Sequence, residues 1–381
     1  MAPPSPHLAP VHSPSLTSAA RVELSPDQLA QWKQKGAILT FQRWVMIIGS
    51  LTGASLALCM LCLQFGATRL EIGTVAVTLM QLLTGGDRNV VELGPSAVIM
   101  MQIRLPRLLV GFLVGGSLAS VGVALQALLR NPLADPYVLG VSSGAALGVS
   151  LAMLFGLGTI SVLMPALPLF GLVGGLLSLV VIYQLAQSKG RLPIQSLILA
   201  GVILNAILTA FIMFITSIME PNRSSGLIAW LMGSLTAPGY TGLAVFSVYA
   251  VGGVAVLMQK SQTLNVLTLG EETARSLGVD TERAKKQLFV LTAFLTGAVV
   301  SVSGMIGFVG MVVPHAVRML VGSDHRLLLP ASALVGGMFL VLSDTIARTM
   351  LAPAEIPVGI VTALAGGPFF LYLLLWRKDR M

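Results

Sequence analysis

The stretch LPIQSLILAGVILNAILTAFIMFITSIM, which covers Leu192–Met219, contains no charged side chain. A helix needs about 20 predominantly apolar residues to cross the hydrocarbon core of a bilayer, and this stretch provides them. Three further runs are similarly long and uncharged: Trp44–Thr68, Leu108–Leu129 and Ile356–Trp376. The chain is therefore predicted to be an all-α, polytopic membrane protein.

The composition of the whole chain agrees with this class. Hydrophobic residues make up 55% of the 381 residues and charged residues 10%, whereas about 25% of residues are charged in an average soluble domain. The mean hydropathy is +0.88. The 40 glycines also suit a membrane protein, because small residues let helices approach closely within lipid.

The charged residues separate ten predicted membrane helices, near residues 42–67, 106–129, 137–156, 161–186, 193–217, 240–259, 287–304, 306–322, 327–349 and 356–376. The uncharged run Pro136–Ser188 is too long for one helix, so it must turn. The run Gln287–Val317 is too long for one span and short for two. A turn at SGMIGFVG, Ser303–Gly310, would make it two spans, and a re-entrant hairpin is the alternative.

Ten spans place both termini on one side of the membrane. On the opposite side lie only six basic residues: Arg69, Arg88, Arg104, Arg107, Arg223 and Arg348. The positive-inside rule therefore puts the N- and C-termini and the polar loop 260–286 in the cytoplasm. This topology accounts for the net charge of +8 without nucleic acid as a partner.

The first 20 residues, MAPPSPHLAPVHSPSLTSAA, are rich in Pro, Ser and Ala and contain no Lys or Arg. They lack the basic start and apolar core of a signal peptide. We expect a disordered cytoplasmic tail over residues 1–40, in which Ser25–Lys35 could form a short interfacial helix. The membrane domain then covers residues 41–381.

Several features of the sequence could carry chemistry. Cys59 and Cys62 form a C-x-x-C motif within an apolar run, where the thiolate needed for metal or redox chemistry is disfavoured, so packing residues on one helix face are predicted. His315 and His325 flank a span end, and a helix end is favoured there over a metal site. The chain has no G-x-x-x-x-G-K-[ST], G-x-S-x-G or H-E-x-x-H motif. We therefore predict no catalytic residue, no metal site and no nucleotide site in this chain.

Small residues recur at helical spacing, at Gly140, Gly144 and Gly148 and again at Gly111 and Gly115. Such spacing is typical of helices whose backbones approach closely. It predicts a tightly packed bundle and does not indicate a transport pathway.

Asp344 is the one clear carboxylate inside a predicted span, and Arg348 follows four residues later on the same helix face. A structural ion pair is favoured for these two residues, and a proton relay at Asp344 is the alternative. Proton-driven carriers more often have several acidic or histidine groups within the membrane, which argues against secondary transport.

The polar loop KSQTLNVLTLGEETARSLGVDTERAKK, Lys260–Lys286, interrupts this apolar chain. Gly270 and Gly278 bracket EETARSL, which predicts one or two short helices. Two interpretations follow from the composition. The loop is either an ordinary solvated connection or a docking surface for a cytoplasmic partner.

The stretch GEETARSLGV, Gly270–Val279, resembles the loop by which permeases of the iron-siderophore, haem and cobalamin ABC importer family, the FecCD type of type II importer, contact their ATPase. Four other stretches resemble the same family: Gln102–Gly148, Trp230–Leu235, Gly304–Gly337 and Leu342–Leu374. The resemblance runs in register over about residues 42–376 and leaves out the N-terminal tail.

The resemblance implies a permease subunit with ten transmembrane helices in a bacterial inner membrane. Its implied partners are a second copy of itself, two cytoplasmic ATPases and a periplasmic binding protein. The ATPases would bind ATP and Mg, so no cofactor is expected in this subunit. The implied cargo is a metal chelate, with a ferric siderophore favoured over haem or cobalamin.

The family's functional residues carry over to three groups. The ATPase-coupling contact would comprise Gly270, Glu271, Glu272, Ala274, Arg275, Leu277 and Gly278. The binding-protein docking residues would be Arg104, Arg107 and Arg348, for which anchoring to lipid headgroups is the alternative. The cytoplasmic gate would be Asn131 and Leu133. The loop around Arg191–Ser196 is similar in place to a second gate, without a match residue by residue.

A self-sufficient secondary transporter or channel driven by an ion gradient is the alternative function. It agrees with the hydropathy but leaves the polar loop unexplained. An importer permease should co-purify with a separate ATPase, whereas a carrier should transport alone.

Overall fold

The computed structural model describes residues 39–66, 95–157, 159–161, 164–188, 190–235 and 239–378. Residues 1–38, which hold most of the predicted tail and the predicted Ser25–Lys35 helix, lie outside this range. The described helices are α1 Phe41–Gln64, α2 Pro95–Leu128, α3 Val141–Leu154, α4 Ala166–Ala186, α5 Ile194–Ile218, α6 Pro221–Leu231, α7 Gly239–Gln259, α8 Ser261–Leu267, α9 Glu271–Ser276, α10 Thr281–Ser303, α11 Val309–Val321, α12 His325–Thr349 and α13 Val358–Lys378.

The all-α architecture with about ten membrane helices is confirmed. Within the described residues, seven helices are long and apolar enough to cross a membrane, namely α1, α2, α4, α5, α7, α10 and α12. Three shorter apolar helices, Val141–Leu154, Val309–Val321 and Val358–Tyr372, match the other predicted spans. The only described strands are the short antiparallel pair Thr159–Ser161 and Met164–Pro165, which lies between α3 and α4. The cytoplasmic position of the termini stays a prediction.

Two helices begin well before the predicted residue. Helix α2 begins at Pro95 instead of residue 106, and it contains a π-helical turn at Met100–Arg104 just before Pro106. Proline lacks the N–H of a regular helix, and a π turn is one way to accommodate such an interruption. Helix α10 begins at Thr281 instead of residue 287, where the Asp280 side chain accepts a hydrogen bond from the Arg283 N–H at 3.0 Å and caps the helix.

Helix α6 was not predicted. Its sequence PNRSSGLIAWL is too short and too polar to read as a span, and only Leu227 is buried. Pro221 stands in the first turn, where its missing N–H costs no hydrogen bond. This helix therefore forms a short polar connection between α5 and α7.

The run Gln287–Val317 is divided between α10 and α11. The break covers Gly304–Phe308, and both of these residues adopt left-handed backbone angles, with φ of 66° and 69°. Glycine adopts this conformation readily, whereas phenylalanine does so rarely. Helix α11 has 13 residues, which gives a length of about 20 Å, less than the hydrocarbon thickness of roughly 30 Å.

Helix α2 lies at the centre of the core, and most of its side chains from Leu105 to Leu128 are buried. It packs against α7, α10, α11 and α12. The backbones of α2 and α12 meet at Gly115 and Gly336, where a Cβ on either glycine would overlap the carbonyl oxygen of the other. Close contact of this kind is what glycine makes available in lipid.

A second close contact joins α3 to α4. A Cβ at Gly144 would overlap the Ser178 hydroxyl, and a Cβ at Gly148 would overlap the Phe170 carbonyl oxygen. The predicted packing role of these glycines is confirmed. Gly140 differs, because it is the left-handed residue (φ 74°) that ends a 3-10 turn before α3.

We predict that Gly115→Val destabilises the protein by more than about 1–3 kcal/mol, the usual cost of overpacking, because the opposing atoms are backbone and cannot rotate away. Gly49→Val in α1 is the matched control, since no atom lies within 4 Å of the place that a Cβ would take there. Thermal unfolding in detergent compares the two variants. Equal midpoints would show that the contact between α2 and α12 is not tight.

Candidate functional site

The polar loop folds into two short helices. Helix α9 lies within EETARSL, as predicted, whereas α8 precedes that stretch and was not predicted. Helix α9 begins directly after Gly270 and ends two residues before Gly278. The φ values of these two glycines, 112° and 85°, favour glycine over other residues. Ala274 is buried, whereas Glu272 faces solvent and the side chain of Leu277 is 61% exposed. Helix α9 therefore presents an exposed surface while Ala274 anchors it to the protein.

A network of four charged side chains ties α9 to α10. The Lys285 side chain is only 4% exposed, and its Nζ lies 2.8 Å from Glu282 Oε1 and 3.1 Å from Glu271 Oε1. Arg275 Nη2 contacts the same two carboxylates at 3.5 and 3.6 Å. Glu282 Oε2 also accepts the Leu192 N–H at 2.9 Å. These contacts therefore link α9 to α10 and to the segment before α5.

Lys285 and Glu282 were not among the predicted site residues. Their spacing, and that of Glu271 with Arg275, predicts pairs within one helix at i,i+3 and i,i+4. No sequence pattern indicated that the two pairs meet across α9 and α10.

The network borders a cleft of about 910 Å³. Three chain segments line this cleft: the end of α2 at Leu129 and Arg130, the segment from Arg191 to Ile198, and the stretch from Leu269 to Thr273. The structure thus brings the predicted coupling residues close to the loop that resembled a second gate. The cleft also borders the turn that holds Asn131.

The predicted gate residues Asn131 and Leu133 lie in a turn after α2. Asn131 Oδ1 accepts the Leu133 N–H at 2.9 Å, which is an Asx turn. Leu133 is exposed and lines a cavity of about 470 Å³ together with Asn205 of α5 and Phe308. Asn131 therefore shapes the turn, and Leu133 is the side chain that reaches the cavity.

Asp135 holds the other end of this turn. Its Oδ1 accepts the Tyr137 N–H at 2.8 Å, and its side chain borders the same cavity as Leu133. Burial raises the pKa of the Asp135 carboxyl to about 6, against the smaller lowering effect of the Tyr137 N–H.

Gln126 connects the turn that holds Asn131 and Leu133 to α11. Its backbone carbonyl accepts the Asn131 N–H at 3.1 Å. Its side-chain amide donates to the Met311 carbonyl at 3.2 Å and accepts from Arg318 Nη1 at 3.0 Å. The end of α2 and the start of α11 are therefore held together by directed hydrogen bonds.

Asn265 attaches α8 to the start of α12. Its amide donates to Asp324 Oδ1 at 2.9 Å, and its oxygen accepts the His325 N–H at 2.9 Å. Hydrogen bonds from Arg326 lower the pKa of Asp324 to about 2. His325 is thus part of a helix end, as predicted, and among the described residues no three His, Cys, Asp or Glu side chains converge as metal ligands would.

Two of the predicted docking arginines meet at one carboxylate. Asp344, which is 3% exposed, accepts from Arg107 Nη2 at 2.9 Å through Oδ1 and from Arg348 Nε at 2.9 Å through Oδ2. Arg107 Nη1 also contacts Glu355, whose side chain is 54% exposed, at 2.9 Å. The predicted pair of Asp344 and Arg348 is confirmed, and Arg107 is a further partner that sequence analysis missed.

The side chain of Arg104, which belongs to α2, contacts the C-terminal end of α1. Its Nη1 donates to the carbonyl oxygens of Leu63 and Gln64 at 2.9 and 3.1 Å. A cation is favourable there, because the last carbonyls of a helix carry partial negative charge. The Arg104 side chain is buried, so the exposed part of this region is formed by Glu355 and the edge of Arg107.

Comparison with known proteins identifies the family. The model of the FecCD transport family matches residues 54–376. This chain belongs to the FecCD transport family. The match agrees with the resemblance drawn from the sequence and covers every described helix from α2 to α12.

Individual proteins that are similar to this FecCD permease are also described as transport proteins. The cobalamin import permease BtuC of Halobacterium salinarum is 44% identical over 286 residues, which cover 74% of this chain and 75% of BtuC. The hemin transport permease HmuU of Yersinia pestis is 42% identical over 287 residues, which cover 74% and 84%. A solved structure described as an inward-facing metal-chelate type ABC transporter has a TM-score of 0.73 and 32% identity, and the match covers 87% of this chain and 99% of that chain.

The FecCD permease is therefore a multi-pass transport subunit of the ABC importer class that handles metal chelates. The two charged clusters described above join different pairs of helices. The cluster of Arg107, Asp344 and Arg348 joins α2 to α12, and the cluster around Lys285 joins α9 to α10.

We predict that Asp344→Asn destabilises the permease strongly, on the order of 3 kcal/mol, because it leaves two largely buried guanidinium groups without their carboxylate. Glu355→Gln is the matched control, since Glu355 is exposed and an exposed pair contributes at most about 1 kcal/mol. Thermal unfolding of both variants in the same detergent tests this difference. A smaller effect for Asp344→Asn than for Glu355→Gln would contradict it.

Proposed function

We propose that this permease carries a metal chelate inward across a bacterial inner membrane, with a ferric siderophore as the favoured cargo and haem or cobalamin as alternatives. It would act as a pair of copies with two cytoplasmic ATPases and a periplasmic binding protein. The observation that carries the proposal is the position of α9, which is exposed on one side and fixed by the Lys285 network on the other.

This arrangement suits the transmission of force. Lys285 is nearly buried, and separating it from Glu271 and Glu282 would leave an uncompensated charge, which is costly. A displacement of α9 by a closing ATPase would therefore move α10 along with it. Because the Leu192 N–H donates to Glu282, the displacement would also move the segment before α5.

The α5 helix supplies surfaces that suit an organic chelate. Val202 and Asn205 line the cavity that contains Leu133, and Thr209 and Thr216 line a second cavity of about 430 Å³. These side chains repeat at helical spacing on one face of α5. They combine apolar contact with hydroxyl and amide groups, as pockets for organic ligands commonly do.

In this proposal Leu133 and the turn shaped by Asn131 form the cytoplasmic gate. Leu133 borders a cavity lined also by Phe308, and Gln126 connects the turn to α11. Movement of α11 relative to α2 would therefore displace the gate turn. The segment around Arg191, which borders the cleft of about 910 Å³ beside the Lys285 network, would move with α9.

The docking role of Arg104, Arg107 and Arg348 belongs to the same proposal. All three lie on the predicted periplasmic side, where carboxylates of a binding protein could reach the edge of Arg107 in place of Glu355. The alternative is that these arginines serve the fold and the lipid interface alone.

A secondary transporter is the second candidate. A proton-driven form would need a group that gains and loses a proton within the membrane, and Asp344 of α12 is the candidate carboxylate. Asp344 accepts hydrogen bonds from both Arg107 and Arg348, so each of its carboxylate oxygens already has a partner within the fold. This pairing favours the structural role over a relay.

The proposal is tested by uptake into proteoliposomes that contain the permease and its ATPase. A binding protein is loaded in turn with ferric siderophore, haem or cobalamin. ATP-dependent uptake of one cargo supports the importer and identifies that cargo. Gradient-driven flux by this chain alone, with no ATP-dependent uptake, would support the carrier instead.

We predict that Glu271→Lys combined with Gly278→Leu abolishes ATP-driven uptake while the protein stays in the membrane. The first change places a second cation beside Lys285, and the second adds bulk where the backbone favours glycine. Glu220→Lys, a reversal at an exposed carboxylate outside the network, is the control. Undiminished uptake by the double variant would refute the coupling assignment.

We also predict that Arg104→Glu with Arg107→Glu weakens docking of the binding protein, more strongly at low salt than at high salt. Arg223→Glu is the control, because the Arg223 side chain is 46% exposed and lies outside the Asp344 cluster. Binding to nanodisc-embedded permease is measured, and unfolding temperatures are recorded because Arg107 supports Asp344. Unchanged docking by a folded double variant would remove these residues from the interface.

A further inference from the structure

A groove of about 600 Å³ lies between α4, α7 and α10, apart from the cavities that contact α5. Its wall is almost entirely apolar and includes Leu176 of α4, Val256 of α7 and Val290 of α10. Phe294 closes one part of the wall and is held edge-on by Tyr249, with ring centroids 6.0 Å apart. All three helices are long and apolar enough to cross a membrane, and an apolar wall between such helices suits the hydrocarbon region of a bilayer.

One end of the groove is basic. Lys260, which follows α7, and Lys286, near the start of α10, both line it, and both stand at the ends of their spans. The Lys260 ammonium donates to Gln287 Oε1 at 2.9 Å, which holds it against α10. Among the ion pairs formed by the described residues, none includes either lysine.

This contrasts with the neighbouring lysine on the same helix. Lys285 has two carboxylates within 3.1 Å, whereas Lys260 has an uncharged amide as its partner. Lys260 and Lys286 are half-buried, so their charges are partly desolvated as well. An anion at this end of the groove would supply the missing complement.

We propose that this groove binds an anionic phospholipid of the cytoplasmic leaflet. The phosphate would lie against Lys260 and Lys286, with the amide N–H groups of Gln287 as further donors. One acyl chain would lie along the wall formed by Val256, Val290 and Phe294. Basic pockets between membrane helices on the cytoplasmic side are suited to such headgroups.

A lipid fits this groove better than a soluble anion. Free phosphate would satisfy the two ammonium groups but would leave the apolar wall uncovered, whereas a phospholipid occupies both parts. Binding of such a lipid does not depend on which cargo the permease carries. It also leaves the coupling surface of α9 free, because Glu271, Glu272 and Leu277 do not line the groove.

The test is native mass spectrometry of the full chain, titrated with phosphatidylglycerol or phosphatidylcholine, together with thermal unfolding in each lipid. The wild type should bind phosphatidylglycerol more tightly and unfold at a higher temperature with it. Each lysine near an anionic headgroup contributes about fivefold in affinity. Lys260→Gln with Lys286→Gln should therefore remove most of the preference.

Two comparisons make the test specific. Arg283→Gln removes one charge from an exposed position one turn earlier on α10, outside the groove lining, and should keep the preference. Val290→Trp should weaken binding of either lipid by filling the wall. The proposal is overturned if the double lysine variant keeps the preference, if Arg283→Gln loses it equally, or if inorganic phosphate stabilises the wild type as much as phosphatidylglycerol does.

Discussion

The contact between α2 and α12 is the constraint on which the rest of the structure depends. Their backbones meet at Gly115 and Gly336 with no room for a side chain. This approach also brings Arg107 within hydrogen-bond distance of Asp344. Since α2 carries the arginines at one end and Gln126 at the other, its position sets the geometry at both ends of the molecule.

Electrostatics divides the polar regions by role. The ion pairs of Asp344 are almost fully buried and join two long helices, so their main effect is on stability. The Lys285 network is buried at its centre and open at its edge, where Glu272 and Leu277 are exposed. Lys260 and Lys286 form a third region, in which positive charge meets an apolar groove. The three regions therefore differ in burial and in the balance of their charges.

The spans were predictable because the bilayer sets their length, and the two helices that begin earlier than predicted share one feature. The charged residues of QIRLPR and TERAKK read as loop, yet both stretches are helical. Arg104 donates a hydrogen bond to the carbonyl of Leu63, and Lys285 forms an ion pair with Glu271. A charge ends an apolar run in the sequence, but it does not end a helix when a partner elsewhere in the fold satisfies it.

The sequence by itself determined the membrane class, the approximate number of apolar helices and the packing role of the glycines, because these follow from composition, length and local spacing. Its motifs carried the family resemblance. It also predicted the pair of Asp344 and Arg348, which lie one turn apart on the same helix. Only the tertiary structure decided that Arg107 shares Asp344, that Lys285 links α9 to α10, and that Lys260 meets Lys286 at one groove. These contacts join residues far apart in the chain or on different helices, so they depend on how the helices pack against one another.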